Sequence, residues 1–309
     1  MIAAAATTDA PVSEDVLTIQ VPASSANLGP GFDAFAVALD VHLTVETAAR
    51  QDRRVLAEGE GAQELPADDS NLIWRAVLAY CRRFGAAVPE VSLRTRNDIP
   101  LERGMGSSAA AAVAGVALGR ALTRAGGRNA DLIQLAADLE GHADNAAAAV
   151  LGGLVVAFDG SARRLEPTED LRPIICVPQD RQSTQHARAL LAQSVPLQVA
   201  AANAARAAVV LAGLSGAMAW DPAAMVDAVH EPPRLEAMAT SGALVAALRH
   251  DGVGACLSGA GPSVLAVVAR RDAGAVDRIT SHAGDRWRVL PLGWDRAGAV
   301  VCPPMVLPA

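Results

Sequence analysis

In the stretch PLERGMGSSAAAAVAG (Pro100–Gly115), an arginine, two glycines and two serines stand directly ahead of a run of alanines. This order of residue types can hold an anion. A helix opening at Ser107 or Ser108 presents unpaired backbone N–H groups and the positive end of its dipole. Gly104 and Gly106 carry no side chain, so a phosphate can come close to the backbone. The serine hydroxyls suit phosphate oxygens or Mg²⁺, and the alanines propagate a helix of small volume that packs tightly on a sheet. Alone, the same letters also fit a plain loop with a serine helix cap, and no downstream acid supports a dinucleotide-binding strand–helix unit. Two further glycine turns, SSANLGPGFD (24–33) and LSGAGPS (257–263), stand at strand ends.

Composition narrows the chemistry. The 309-residue chain has a net charge of −7, and its 26 basic residues are all arginine. A lysine-free chain has no Walker A lysine, no kinase strand lysine and no Schiff-base lysine. Phosphate would have to be met by amides, arginine and metal. The negative balance argues against a nucleic-acid partner. The four cysteines, at 81, 176, 256 and 302, form no CxxC pair and read as reduced thiols of a cytoplasmic protein. The N-terminal MIAAAATTDAPVSED lacks a basic region ahead of its alanines, so it reads as a short disordered lead and not a signal peptide. The apolar run Ala109–Leu118 is too short and too alanine-rich to span a membrane.

Placing the glycine turns takes strands before them and helices after them. Alternation predicts a strand over 16–23 and another through AFAVALDVHLTVETA with a bend near Asp40. Residues 50–69 read as a hairpin or loop. A helix is expected over Ser70–Gly85, capped by Ser70, then a strand at VSLRTRNDIP, helices over 107–124 and 129–140, and a strand at Gly152–Phe158. The composition shift at Asp159–Pro173 reads as a domain junction. Beyond it the pattern predicts a strand at 173–178, helices over 183–193, 197–216, 235–250 and 272–282, a short segment at 222–229, a strand broken by its own glycine turn at 254–269, and a last strand near 286–290. The class is α+β, with helices on mainly antiparallel sheets.

Taken together, PASSANLGPGFDAFAVALD, IPLERGMGSSAAAAVAG, LEGHADNAAAAVLGG and LSGAGPSVLAV resemble the motifs of the GHMP kinase superfamily in order and separation. Within it, the first motif and two arginine motifs are similar to those of homoserine kinases. The likeness extends over nearly the whole chain, and PASSANLGPGFD is its specific part. It implies a two-domain fold: a ribosomal protein S5 domain 2-like domain over 1–168 carrying the ATP-binding glycine loop, and a ferredoxin-like domain over 169–309. The implied reaction is transfer of the ATP γ-phosphoryl group to the side-chain hydroxyl of L-homoserine, with Mg²⁺, in threonine biosynthesis.

The resemblance also distributes roles. Pro100, Leu101, Glu102, Arg103, Gly104, Met105, Gly106, Ser107, Ser108 and Ala109 match the ATP-binding loop, with Arg103 on phosphate. Asn71 matches an adenine contact, or equally a helix-start residue. Ser108 and Glu140 match the Mg²⁺ ligands, with Ser107 as the alternative serine. Asn27 and Asp33 match the residues that hold the substrate ammonium. His142 and Asn145 line the substrate end. Asn145 stands where mevalonate kinases carry an aspartate base, so no strong general base is expected, and the loose phosphoryl-transfer transition state is met by positioning and charge. Arg188 in STQHARALL and Arg234 in HEPPRLEAM match the carboxylate clamp, for which a guanidinium fork is suited. Gly259, Gly261 and Ser263 shape the back of the nucleotide loop. Ala36, HADNA and Gln185-His186 depart from the usual pattern and bear on loop geometry. Two other readings remain: a mevalonate-type or diphosphocytidyl-methylerythritol-type kinase, for which Asp33 would have no ammonium, and a non-catalytic binding protein of the same fold. Members of the family are often dimeric, so a homodimer is an expectation that the resemblance alone carries. Neither nucleic acid nor membrane is expected as a partner.

Overall fold

The alternating runs on either side of the first glycine turn form a hairpin of two long strands. In the computed structural model, which describes residues 16–48 and 53–302, these are β1 (Thr18–Ala26) and β2 (Phe35–Ala48), antiparallel from Thr18↔Glu46 to Ala26↔Ala36. The expected N-terminal lead lies outside the described residues. The register shifts between Pro22 and Ala23, whose partners are His42 and Leu39, so Asp40 and Val41 bulge out where the bend was expected. β3 (Val55–Gly59) lies within the region read as hairpin or loop. It pairs in parallel with β4 (Ser92–Asn97), and α1 (Leu72–Phe84) is the crossover between them.

α2 (Ser107–Thr123) and α3 (Asn129–Glu140) follow as expected. α4 (Ala143–Leu151) was not anticipated. Gly141 ends α3 in the left-handed region (φ 85°) and a new helix starts after His142. β5 (Leu154–Phe158) and β6 (Ser161–Leu165) close a hairpin, so part of the expected junction is strand. Alanine and glycine make up most of the buried face of α2, and these small residues set the packing distance. A Cβ on Gly115 would strike the Ile73 carbonyl, and one on Gly119 would stand 2.8 Å from the Tyr80 ring, so α1 lies directly against α2.

The second layer comprises β7 (Leu171–Pro178), α5 (Thr184–Ala189), α6 (Leu197–Leu214), a 3₁₀ turn at Pro222–Met225, α7 (Glu231–Ala237), α8 (Ala239–His250), β8 (Gly254–Leu257), β9 (Val264–Ala269), α9 (Ala275–Ala283) and β10 (Trp287–Pro291). The helix expected over 235–250 is two helices, broken at Met238 (φ −110°, ψ 65°). The sheet is antiparallel throughout, in the order β10-β7-β9-β8. Counted along the chain, that order is 4-1-3-2, the ferredoxin-like arrangement.

The division expected at 168/169 falls between β6 and β7, yet the chain does not stay divided there. β11 (Val300–Cys302) returns to the first sheet and pairs with β1, Ile19 facing Val301. The main hydrophobic cluster also joins Ile19, Val21 and Trp74 of the first layer to Ile175, Val210 and Leu265 of the second. α6 is long and apolar enough to cross a bilayer by length and composition. Its buried Asn203 donates to the Pro30 carbonyl (3.1 Å) and accepts from the Ala228 amide (3.1 Å).

Candidate active site

The three glycine turns converge on one cleft of about 280 Å³ between the layers. At its centre, Gly106 takes the N-cap position of α2 with φ 68°, and no side chain caps the helix. Its first amides are left without a side-chain acceptor, which suits an anion. The two glycines are required before any ligand arrives. A Cβ at Gly104 would collide with the Ser258 carbonyl and one at Gly106 with the Ser24 hydroxyl, and both residues have positive φ. Neighbouring loops fill that space and pin the turn: Ser258 Oγ donates to the Gly104 carbonyl (2.7 Å) and the Ser24 amide to the Met105 carbonyl (3.1 Å). Met105 itself is buried.

Arg103 lines the cleft. Its guanidinium donates to the carbonyls of Leu101 (3.0 Å), Pro178 (2.8 Å) and Gln179 (2.9 Å), fastening the loop to the end of β7. Asn71 takes the helix-start place that the sequence reading gave as its alternative. Its Oδ1 accepts from the Ile73 amide (3.0 Å) as the N-cap of α1, in place of Ser70, and its Nδ2 donates to the Pro66 carbonyl (2.8 Å). It still borders a second, largely apolar cavity of about 430 Å³ walled by Leu43, Leu65, Pro66 and Leu101. That cavity shares Glu102, Ser107 and Ser108 with the central cleft. Pro100 and Ala109 line the cleft alone of the two.

Where the cleft meets α3, Ser108 Oγ donates to Glu140 Oε1 at 2.7 Å. Burial pushes the Glu140 carboxyl above its ordinary pKa, and the serine bond only partly offsets it. Ser107 Oγ sits 3.5 Å from Asn97 Nδ2. Asn145, on α4, accepts from Ser24 Oγ through Oδ1 (2.8 Å). Its neighbour Asp144 lines the same wall, and sequence reasoning passed over it. Asp144 is buried, takes the Asn145 amide on Oδ1 (2.7 Å), and is pushed up to about 6 by desolvation. His142, half-buried at the α4 N-cap, is held below its ordinary pKa by burial and then by Arg188.

At the far end, Asn27 holds loops together. Its Nδ2 donates to the Gly259 carbonyl (2.7 Å) and its Oδ1 accepts from the Asp33 amide (3.1 Å). Asp33 and Arg188, expected to take opposite ends of a zwitterion, take each other at 2.8 and 3.0 Å. Arg234 is buried beside them. Phe32, another residue the sequence reading did not single out, lies under both guanidiniums, 5.6 Å from Arg188 and 5.4 Å from Arg234.

A glycine-turn anion corner and a carboxylate–arginine cluster, set between a mixed first layer and an antiparallel layer of ferredoxin-like order, belong to the fold of the GHMP-type kinases. The family described as GHMP kinases N terminal domain matches residues 71–153. The crystal structure of homoserine kinase from Cytophaga hutchinsonii has the same fold, with a TM-score of 0.80 over 96% of this chain and all of that one, at 24% identity. Within the class, the chain is 40% identical to the homoserine kinase of Streptomyces coelicolor, covering 92% of this chain and 94% of that one. It is 43% identical to that of Mycolicibacterium smegmatis, covering 92% and 96%. The chain belongs to the homoserine kinase family.

Proposed function

We infer that this chain transfers the γ-phosphoryl group of ATP to the side-chain hydroxyl of L-homoserine, forming O-phospho-L-homoserine and ADP for threonine biosynthesis. The observation that carries the reading is one cleft that holds both an uncapped helix N-terminus and, at its other end, a carboxylate with two arginines. The γ-P–O bond to ADP breaks, a bond to the homoserine oxygen forms, and the hydroxyl proton leaves to solvent. The α2 amides hold the polyphosphate, and the apolar cavity beyond Ser107 and Ser108 takes the nucleoside. Asp33 takes the substrate ammonium, with Asn27 holding the Asp33 backbone. Arg188 and Arg234 take the carboxylate, and His142 walls the space between.

Mg²⁺ fits the donors at the corner. The Ser108 hydroxyl and the Glu140 carboxylate are hard oxygens already 2.7 Å apart, and a site of few protein oxygens suits an ion shared with phosphate. When bound, the ion offsets phosphate charge. Asn145 orients the acceptor hydroxyl and takes no proton, so rate comes from placement and electrostatics. An isoprenoid alcohol such as mevalonate has no ammonium for Asp33. We place the protein in the cytoplasm, as a homodimer, with no nucleic-acid or membrane partner. An ADP-release assay over L-homoserine, L-serine, L-threonine and mevalonate tests the reading. Turnover highest with L-homoserine is expected, and turnover only with mevalonate would overturn it.

A further inference from the structure

We propose that His230 is the positioning residue of the amino-acid end: a neutral imidazole, protonated on Nε2, that ties the first glycine turn to the guanidinium of Arg234 and sets where that guanidinium meets substrate. The inference rests on the reading of Arg234 as a carboxylate partner.

The hydrogen bonds fix the tautomer. Arg234 Nη1 lies 3.0 Å from His230 Nδ1. Arginine has donors only, so Nδ1 must be the acceptor and the ring proton must sit on Nε2. Nε2 faces the Gly29 carbonyl at 2.9 Å, an acceptor in need of that proton. The ring is fully buried and stacks on Phe32, with centroids 5.0 Å apart and planes 26° off parallel. Its backbone is held as firmly. Asp227 Oδ2 accepts the amides of Val229, His230 and Glu231 at 2.8, 2.6 and 2.8 Å. Buried Glu231 in turn takes Arg249 and the Leu257 amide.

Arg234 is therefore a placed cation. Nε donates to the Ala187 carbonyl (3.2 Å) and Nη1 to His230, while Nη2 has no protein acceptor among the described residues. An uncharged acceptor orients the guanidinium without neutralising it. A carboxylate in the same place would satisfy Arg234 and compete with the substrate for it. The charged groups around the ring are Asp227, Glu231 and Arg234, and burial keeps His230 below its ordinary pKa, in the form the geometry needs.

Two near-isosteres separate orientation from scaffolding. His230→Asn keeps an acceptor near the Nδ1 position. His230→Gln keeps a donor reaching toward Gly29 and loses that acceptor. We expect His230→Gln to raise KM for L-homoserine about tenfold and His230→Asn by less than about threefold, with KM for ATP steady in both. Equal KM changes in the two variants, or a KM for ATP rising in step, would reduce His230 to scaffolding. Arg234→Gln is the control. If it raises KM while His230→Gln does not, this inference alone fails. If Arg234→Gln leaves KM unchanged, the reading of Arg234 fails with it. Should neither His230 variant fold, ¹⁵N spectra of histidine-labelled wild-type protein decide. A ring protonated on Nε2 that does not titrate over about pH 5 to 8 is expected, and finding none overturns the assignment.

Discussion

The two ends of the cleft are prepared in opposite ways. At the phosphate end the donors stand open: α2 begins without a side-chain cap, and a serine and a glutamate converge beside it. At the amino-acid end the side chains are already engaged, Asp33 with Arg188 as an ion pair and Arg234 with the neutral His230 ring and the Ala187 carbonyl. An open anion corner can be built from backbone, which cannot fold away. A zwitterion pocket must be built from charged side chains, and near solvent these find each other. In the proposed reading, the substrate of the second end exchanges an existing pair for two new ones.

This contrast can be broken from either side. The largest effect is expected at the open end. Glu140→Ala removes the acid paired with Ser108 and should lower kcat by about a thousandfold, whereas Asn145→Ala should lower it about tenfold. A dead Asn145→Ala beside a normal Glu140→Ala in steady-state assays would reverse the two roles.

Asp144 comes next. Its carboxyl ordinarily titrates near 3.8 and is pushed up to about 6 by burial, so the fold prefers it protonated. The stability this gives is whole below the unfolded value and is lost as pH rises through about 6. Asp144→Asn escapes that loss. Its denaturant stability should gain on the parent between about pH 4 and 7, by at most on the order of 3 kcal/mol. Parallel pH curves for the two proteins would contradict it.

At the closed end, Asp33→Asn should raise KM for L-homoserine by at least tenfold, because an ammonium then faces an amide. Stability should change little, since the Asp33–Arg188 pair is half-exposed on both sides and such pairs contribute about 0–1 kcal/mol. A large drop in Tm with unchanged KM would make the pair structural. The smallest effect sharpens the outer cavity. Asn71→Ala should cost about 1 kcal/mol as a lost helix cap, and Asn71→Ser should keep most of that stability. If Asn71→Ser holds Tm near the parent value and still raises KM for ATP, Asn71 returns to an adenine contact.

The phosphate end was the more legible in the amino-acid sequence, and the reason is physical. Glycines, serines and an alanine helix are local signals, and α2 starts at Ser107 as its letters suggested. The physical reason for those glycines was not local: Ser258 and Ser24, far off in the chain, press on Gly104 and Gly106. Arg103 and Asn71 show the same dependence on the fold. Each sits in a suggestive motif, but its hydrogen bonds go to carbonyls and amides whose nearness only the fold decides. His230 was invisible because its meaning lies in a carbonyl some two hundred positions earlier. Of the elements, β11 and β6 escaped because short strands declare themselves through partners and not through periodicity.

The three-residue β11 has a consequence for anyone who handles the chain's end. It lies along β1, and β1 runs without interruption into SSANLGPGFD, the turn that carries Asn27 and Asp33. Cutting the chain before Val300 would strip the border of the first sheet and slacken, from the opposite terminus, the very loop proposed to hold the substrate ammonium.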